Sequence, residues 1–266
     1  MLDLDIFYLV VTYVLAGLLG ICVGSFLNVV IYRIPRGMRL DKPSSHCPAC
    51  NYSLRWYDNI PVVSYLILGG KCRKCKQKIS IRYTVVELAN MLLWLGSVWL
   101  FWEESIVFAS VAALTSTVLI CVFFIDLEHM LVLDRFVIAL AALGIVATVF
   151  DPQYEWYSHI IGAAEGLILF YGIFAIFYIV KKKEALGGGD IKLAIVMGLL
   201  LGWERLTLSI FIAFVLGAIV LLIVSRKRGD DREKEYPFAP FLCIGFLTAL
   251  FFGYEIIEAY LGLFNL

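Results

Sequence analysis

The sequence predicts an all-α polytopic membrane protein with about eight transmembrane helices and both termini outside. Three observations predict it: a composition too apolar for a soluble domain, a succession of long apolar runs, and Lys and Arg gathered on alternate segments between those runs. Of the 266 residues, 62% are hydrophobic and 17% charged, with a mean hydropathy of +0.89. A water-soluble domain carries roughly a quarter charged residues, so a soluble globular protein is excluded. The formal net charge of zero decides little, because in a bilayer the placement of Lys and Arg matters more than their sum.

The apolar runs predict helices over 6–32, 83–102, 105–125, 135–150, 159–180, 191–203, 206–225 and 241–263. Met1-Leu2-Asp3-Leu4-Asp5 is acidic where a cleavable signal peptide would be basic, so the first run is expected to stay. With the N-terminus outside, the inside segments are 33–82, the turn after Ile125, the stretch from Lys181, Lys182 and Lys183 to Lys192, and the 226–240 loop. They hold 21 of the 22 Lys and Arg, and only Arg205 falls outside. A missed or invented span would scramble that asymmetry. The expected organisation is a first transmembrane helix over 1–32, a cytoplasmic loop domain over 33–82 and a seven-helix membrane core over 83–266. One span is too short: between Lys192 and Glu204 lie 11 apolar residues, which rise roughly 17 Å as helix against a core about 30 Å thick. Gly187-Gly188-Gly189-Asp190 is therefore expected to dip into the membrane as irregular backbone sheltered by protein.

Seven cysteines form two groups. Cys22, Cys121 and Cys243 are isolated in apolar runs, where packing is the expected role. Cys47, Cys50, Cys72 and Cys75 make two C-x-x-C knuckles separated by 21 residues, in a loop assigned to the reducing cytoplasm. Structural zinc fits this pattern better than disulfides: four thiolates close a tetrahedral site and staple a loop with little apolar surface of its own. A closed four-sulfur site leaves no position for a catalytic water, and His46 is expected to be loop.

Asp126 follows the apolar run Val122-Phe123-Phe124-Ile125, and Asp190 follows three glycines; both lie at the cytoplasmic edge. Ionisable groups at such depth are costly and tend to be functional or paired. Two carboxylates brought together in a partly dry site cannot both ionise readily, so one holds a proton while the other activates water, which is aspartyl-protease chemistry. The alternative is that both merely cap helices, Asp190 being placed as N-cap of 191–203. Asp134 is expected to be an N-cap, Glu128 and His129 exposed turn residues, and His159 an outside helix-start residue. A proton-coupled transporter would also use membrane carboxylates, but it has no use for the cysteine loop.

Motif after motif is similar to the type IV prepilin peptidases. Gly24-Ser25-Phe26-Leu27-Asn28-Val29-Val30-Ile31-Tyr32-Arg33 resembles the family's N-terminal signature, and Tyr57-Asp58-Asn59-Ile60-Pro61-Val62-Val63-Ser64-Tyr65 its sequence between the knuckles, continued by Ile79-Ser80-Ile81-Arg82-Tyr83 and Glu87. The Asp126 segment through Asp134 resembles the first aspartate motif, Gly187-Gly188-Gly189-Asp190-Ile191-Lys192-Leu193 the GxGD motif, and Pro237-Phe238-Ala239-Pro240-Phe241 the opening of the last span. Leu133 and Thr84 stand where the family usually has proline, and Ala239 where glycine is common. The resemblance implies catalytic Asp126 and Asp190, a supporting loop of Gly187, Gly188, Gly189 and Lys192, and metal ligands Cys47, Cys50, Cys72 and Cys75. It implies a multi-pass protease of the bacterial cytoplasmic membrane, embedded in the lipid bilayer. Its substrates would be prepilins and pseudopilins with basic leader peptides, serving type IV pili or protein secretion, and many members then methylate the new N-terminus with S-adenosylmethionine. A peptidase without methyl transfer remains the alternative. No nucleic-acid partner is expected, and no Gly-rich fingerprint locates a methyl-donor site.

Overall fold

The computed structural model describes residues 2–182, 187–228 and 236–263, and apart from two isolated β-bridges its regular structure is helical. The helices are α1 (Leu2–Arg33), α2 (Val63–Ile67), α3 (Arg82–Phe101), α4 (Ile106–His129), α5 (Asp134–Phe150), α6 (Trp156–Lys181), α7 (Gly188–Leu201), α8 (Trp203–Arg228) and α9 (Ala239–Leu263). Each of the eight predicted runs is helical, and the short α2 is an addition inside the loop. Among the described residues six helices, α1, α3, α4, α6, α8 and α9, are long and apolar enough to cross a membrane. The protein is thus a multi-pass membrane protein. Lys183 and the expected basic residues Arg232 and Lys234 lie outside the described residues.

The chain divides into two compact units, Met1–Trp99 and Leu100–Leu266. The boundary falls near the end of α3, so most of that helix lies in the first unit. In the first unit α1 and α3 approach closely because α1 presents glycine: a Cβ on Gly24 would come within 2.8 Å of the Glu87 Cα. Polar side chains then bond backbone across the seam, Asn90 Nδ2 donating to Gly20 O at 2.7 Å and Asn28 Nδ2 to Tyr83 O at 3.1 Å. Such bonds are worth making where water cannot compete. Buried Arg33, at the foot of α1, donates to the carbonyls of Arg39, Leu40 and Pro43 and so folds the start of the loop around itself.

In the second unit α7 is the central short piece, packed against α5, α6 and α9, while α8 pairs with α9 and α4 with α5 and α9. Ser105 caps α4, its Oγ accepting from the Phe108 N–H at 3.2 Å. The α6–α7 seam is made of small residues, with Gly162 and Gly166 facing Ala194 and Gly198; a Cβ on Gly198 would stand 2.1 Å from Gly162 O. No other residue fits there. Outward, the helices expose large apolar residues such as Ile138, Val149, Ile168, Ile179 and Phe211, as a lipid-facing surface requires.

Candidate active site

Two features bring the Asp126 and Asp190 segments together inside the second unit. Helix α4 ends at His129 with Met130 in the left-handed conformation (φ 52°), its N–H donating to Asp126 O. This turns the chain into the extended Leu131–Leu133 linker, in which Leu133, in place of the family's proline, is the N-cap of α5. On the other side, Gly189 lets Val132 pack on the first turn of α7, where a Cβ would lie 2.8 Å from the Val132 Cβ. The end of α4 and the start of α7 are thereby joined through the linker.

Asp126 is 5% exposed. It accepts a hydrogen bond from the Ala239 backbone N–H at the start of α9, while its Oδ2 is buried without a partner among the described residues. Asp190 is half-buried and accepts from the Gly187 N–H. The two carboxylates act on one another electrostatically, and the buried Cys243 thiol of α9 lies in the field of both. The structure thus brings Asp126 and Asp190 into one acidic site, Asp126 buried and Asp190 half-buried.

Several expectations are corrected here. Gly188, Gly189 and Asp190 are not irregular backbone but the first turn of α7, with Gly187 as N-cap; residues 183–186 lie outside the described residues. Asp190 is consequently not the N-cap: it sits at the third helical position and reaches back to the N-cap N–H, as acidic residues do there. Asp134 is not an N-cap either. It is the first residue of α5, and its carboxylate takes a 2.7 Å ion pair from Lys192 on α7, a second tie between the two segments. Glu128 and His129 belong to the last turn of α4 rather than to a turn. His129, three residues after Asp126 and so on the same helix face, has a buried Nε2 with no partner among the described residues.

His159 lies in the first turn of α6, and both it and Arg205 are fully buried. Arg205 pairs with Asp151, whose Oδ2 is also 3.6 Å from His159 Nε2, and its guanidinium lies 4.5 Å from the Tyr154 ring centre. Arg205 Nε donates to Leu201 O, and His159 Nδ1 lies 3.1 Å from Leu199 O. The local sequence could not announce this cluster, because Asp151 sits in a short polar linker and Arg205 near a predicted helix start. Nor has the backbone donor of Ala239 any side-chain signal.

The four knuckle cysteines form the second site, in the first unit. Their sulfur atoms all lie within 4.8 Å of one another and could hold a metal ion. The knuckles are duplicates. In each, the first Cys N–H bonds to the carbonyl five residues on (Cys47 to Tyr52, Cys72 to Gln77). The residue after the second Cys returns to the first Cys carbonyl (Asn51 to Cys47, Lys76 to Cys72) with positive φ, and an isolated bridge closes each turn, His46 with Ser53 and Lys71 with Lys78. Backbone N–H groups of Cys75 and Lys74 pull the Cys72 thiol down to about 6, while burial and the neighbouring sulfur atoms push Cys75 up to about 11, so Cys72 is the thiol that ionises first.

Residues 18–101 match the bacterial peptidase A24 N-terminal domain and residues 113–222 the type IV leader peptidase family. A prepilin leader peptidase/N-methyltransferase of Pseudomonas aeruginosa is 36% identical over 268 residues, spanning 92% of this chain and 91% of that protein. The chain belongs to the prepilin leader peptidase family. Family members of the same name from Legionella pneumophila (32% identical, 94% of each chain) and Dichelobacter nodosus (35%, 88% of this chain and 90% of that one) are similarly alike. No solved structure matches the chain. The first model lies over the α1–α3 unit and the second over α4 to α8, so family membership covers both the knuckles and the paired aspartates.

Proposed function

We propose that this membrane enzyme is an aspartyl endopeptidase that removes the basic leader peptide of type IV prepilins and pseudopilins at the cytoplasmic face, and then methylates the new N-terminus from S-adenosylmethionine. What supports the reading is that Asp126, buried, and Asp190, half-buried, interact with one another, each near a backbone N–H of another residue. Water held by the pair loses a proton to whichever carboxylate is ionised as it attacks the scissile carbonyl, and the other carboxyl protonates the leaving amine. The roles then exchange. Gly187, Gly188 and Gly189 form the N-cap and first turn that carry Asp190, and Lys192 ties that turn to Asp134. Methyl transfer rests on the names of the relatives; no donor-binding residues are assigned.

Zinc is the proposed occupant of the cysteine site. Zn–S bonds of about 2.3 Å in a tetrahedron set sulfur atoms about 3.8 Å apart; Cys47 and Cys75 are 3.8 Å apart and Cys50 and Cys72 4.0 Å. Its role is to staple the loop. The proposed topology is eight spans with both termini outside, in the bacterial cytoplasmic membrane, with 1–32 the first span, 33–82 the zinc-binding loop domain and 83–266 the protease core. The Lys and Arg asymmetry supports it.

The test is cleavage of a prepilin by wild type and by Asp126→Asn and Asp190→Asn, with products read by mass spectrometry. Cleavage by wild type, its loss in both variants and a product heavier by one methyl group support both activities. A correct but unmethylated product leaves a peptidase alone. Well-folded wild type that cleaves no prepilin returns the carboxylates to proton-coupled transport.

A further inference from the structure

The loop segment between the two knuckles buries one carboxylate, Asp58, and leaves several large apolar side chains exposed. Asp58 is buried, accepting from Arg73 Nε at 2.7 Å, from Tyr52 Oη at 3.1 Å and from the Arg55 N–H at 3.3 Å. Val62 is held at φ 60°, a conformation a β-branched residue adopts only when its surroundings impose it. The imposing group is Glu87 on α3, whose Oε2 accepts the Val62 N–H at 2.8 Å. From this clamped base Trp56 projects 80% exposed, with Leu66 at 69% and Ile67 at 75%. Val63, Leu66 and Ile67 are spaced i, i+3, i+4 and so share one face of α2, next to the 3-10 turn Trp56–Asp58.

A rigidly presented ridge of Trp, Leu and Ile is unfavourable in water. Two observations identify what covers it. The loop leaves α1 at Arg33 and enters α3 at Arg82, both helices apolar enough to span, so each end is tethered to the bilayer surface. Between those feet, residues 33–82 hold 11 Lys and Arg against two acidic residues, one being the buried Asp58, and Arg55, Lys71, Lys74, Lys76 and Lys78 are exposed. An exposed aromatic and aliphatic face on a loop with a strong excess of exposed basic residues is the composition of an interfacial membrane contact. We propose that the Trp56–Leu66–Ile67 ridge docks into the headgroup and acyl boundary of an anionic bilayer, laying the loop domain against the membrane surface. The proposal is independent of the peptidase reading.

The test uses the full-length protein in nanodiscs of phosphatidylcholine, alone or with a third replaced by phosphatidylglycerol. The Trp56 emission is obtained as wild type minus Trp56→Phe. Lipids brominated near the glycerol end of the acyl chain should remove most of that emission, and aqueous acrylamide little of it, with stronger bromolipid quenching when phosphatidylglycerol is present. In the Leu66→Asp/Ile67→Asp variant Trp56 should become accessible to acrylamide. Quenching by acrylamide but not bromolipid in the wild-type background would overturn the proposal by placing Trp56 in water. Protection from both would overturn it by showing a protein cover, whether a second copy or another part of the chain. Quenching equal in the two lipid mixtures would overturn the anionic preference and the part given to the loop's basic charge.

Discussion

Replacing Gly198 by alanine tests whether the α6–α7 seam sets the position of Asp190. The new Cβ would stand 2.1 Å from Gly162 O and 2.3 Å from its carbonyl carbon, neither of which is a flexible side-chain end. Restoring ordinary contact near 3.4 Å needs the two backbones to separate by about 1.3 Å, an overpacking that costs about 1–3 kcal/mol. Asp190 lies eight residues nearer the start of the same rigid helix, roughly 12 Å away, so the shift carries to the carboxylate. Misplacement of a reacting group by about 1 Å can cost on the order of 100-fold in rate. Prepilin cleavage by Gly198→Ala in detergent should therefore fall about 10- to 100-fold in kcat/KM, with a lowered unfolding midpoint, on protein shown to be folded. Gly172→Ala on α6 is the control, because a Cβ there meets nothing within 4 Å and alanine is about 1 kcal/mol the better helix former. Wild-type cleavage by folded Gly198→Ala, or equal damage from Gly172→Ala, would refute the argument.

Asp151→Asn leaves the Arg205 charge buried without its ion-pair partner and should lower stability by about 3–5 kcal/mol, read as the chemical-denaturation midpoint in detergent; Arg205→Leu with Asp151→Leu should recover part of the loss. His129→Leu should raise KM for prepilin about 3- to 10-fold, the worth of a hydrogen bond of about 0.5–1.5 kcal/mol, if the unpartnered Nε2 binds peptide or its water; steady-state kinetics with unchanged KM would exclude that role. Lys192→Gln breaks an ion pair whose side chains are 54% and 68% exposed, so its stability cost should stay below about 1 kcal/mol, measurable by thermal unfolding, and larger destabilisation would mean a second role. Cys50→Ser with Cys75→Ser should abolish zinc binding by elemental analysis and make residues 34–81 sensitive to protease.

The parts of this protein that run on period and composition were legible in its sequence. Helices α1 and α3 to α9 follow apolar runs, and two C-x-x-C knuckles with matched spacing announce one four-sulfur site. Asp126 and Asp190 stood out because charge at the end of an apolar run is costly. What sequence could not supply was the partner of each group. The Ala239 N–H that bonds Asp126 is a backbone atom and has no residue-type signal. Arg205 was counted as the lone outside charge because charge counting assigns a position along the membrane normal and says nothing about burial. Asp190 looked like an N-cap because glycine offers no competing side chain, yet Gly187 itself is the cap and the helix begins at Gly188. The seam was more accessible: Gly162-x-x-x-Gly166 is a small-residue pair at helix spacing, a known signal for close helix approach.

The buried Arg205 cluster and the acidic site answer one physical problem, the length of α7. Its 14 residues rise about 21 Å, less than a hydrocarbon core of about 30 Å, so its end groups must find partners in protein rather than in water. At the start of α7, the Gly187 N–H finds the Asp190 carboxylate. At the end, the carbonyls of Leu199 and Leu201, which have no donor within the helix, face His159 Nδ1 and Arg205 Nε. A guanidinium suits this negative end of the helix dipole, but its charge is then buried and calls for Asp151. The cluster is thus the C-terminal cap of the helix whose N-terminus carries Asp190. Since a helix moves as a rigid rod, loosening that cap should be felt at the carboxylate two ends apart. Asp151→Asn should therefore slow prepilin cleavage even at a temperature where the variant stays folded, and unchanged kcat there would separate the cap from the active site.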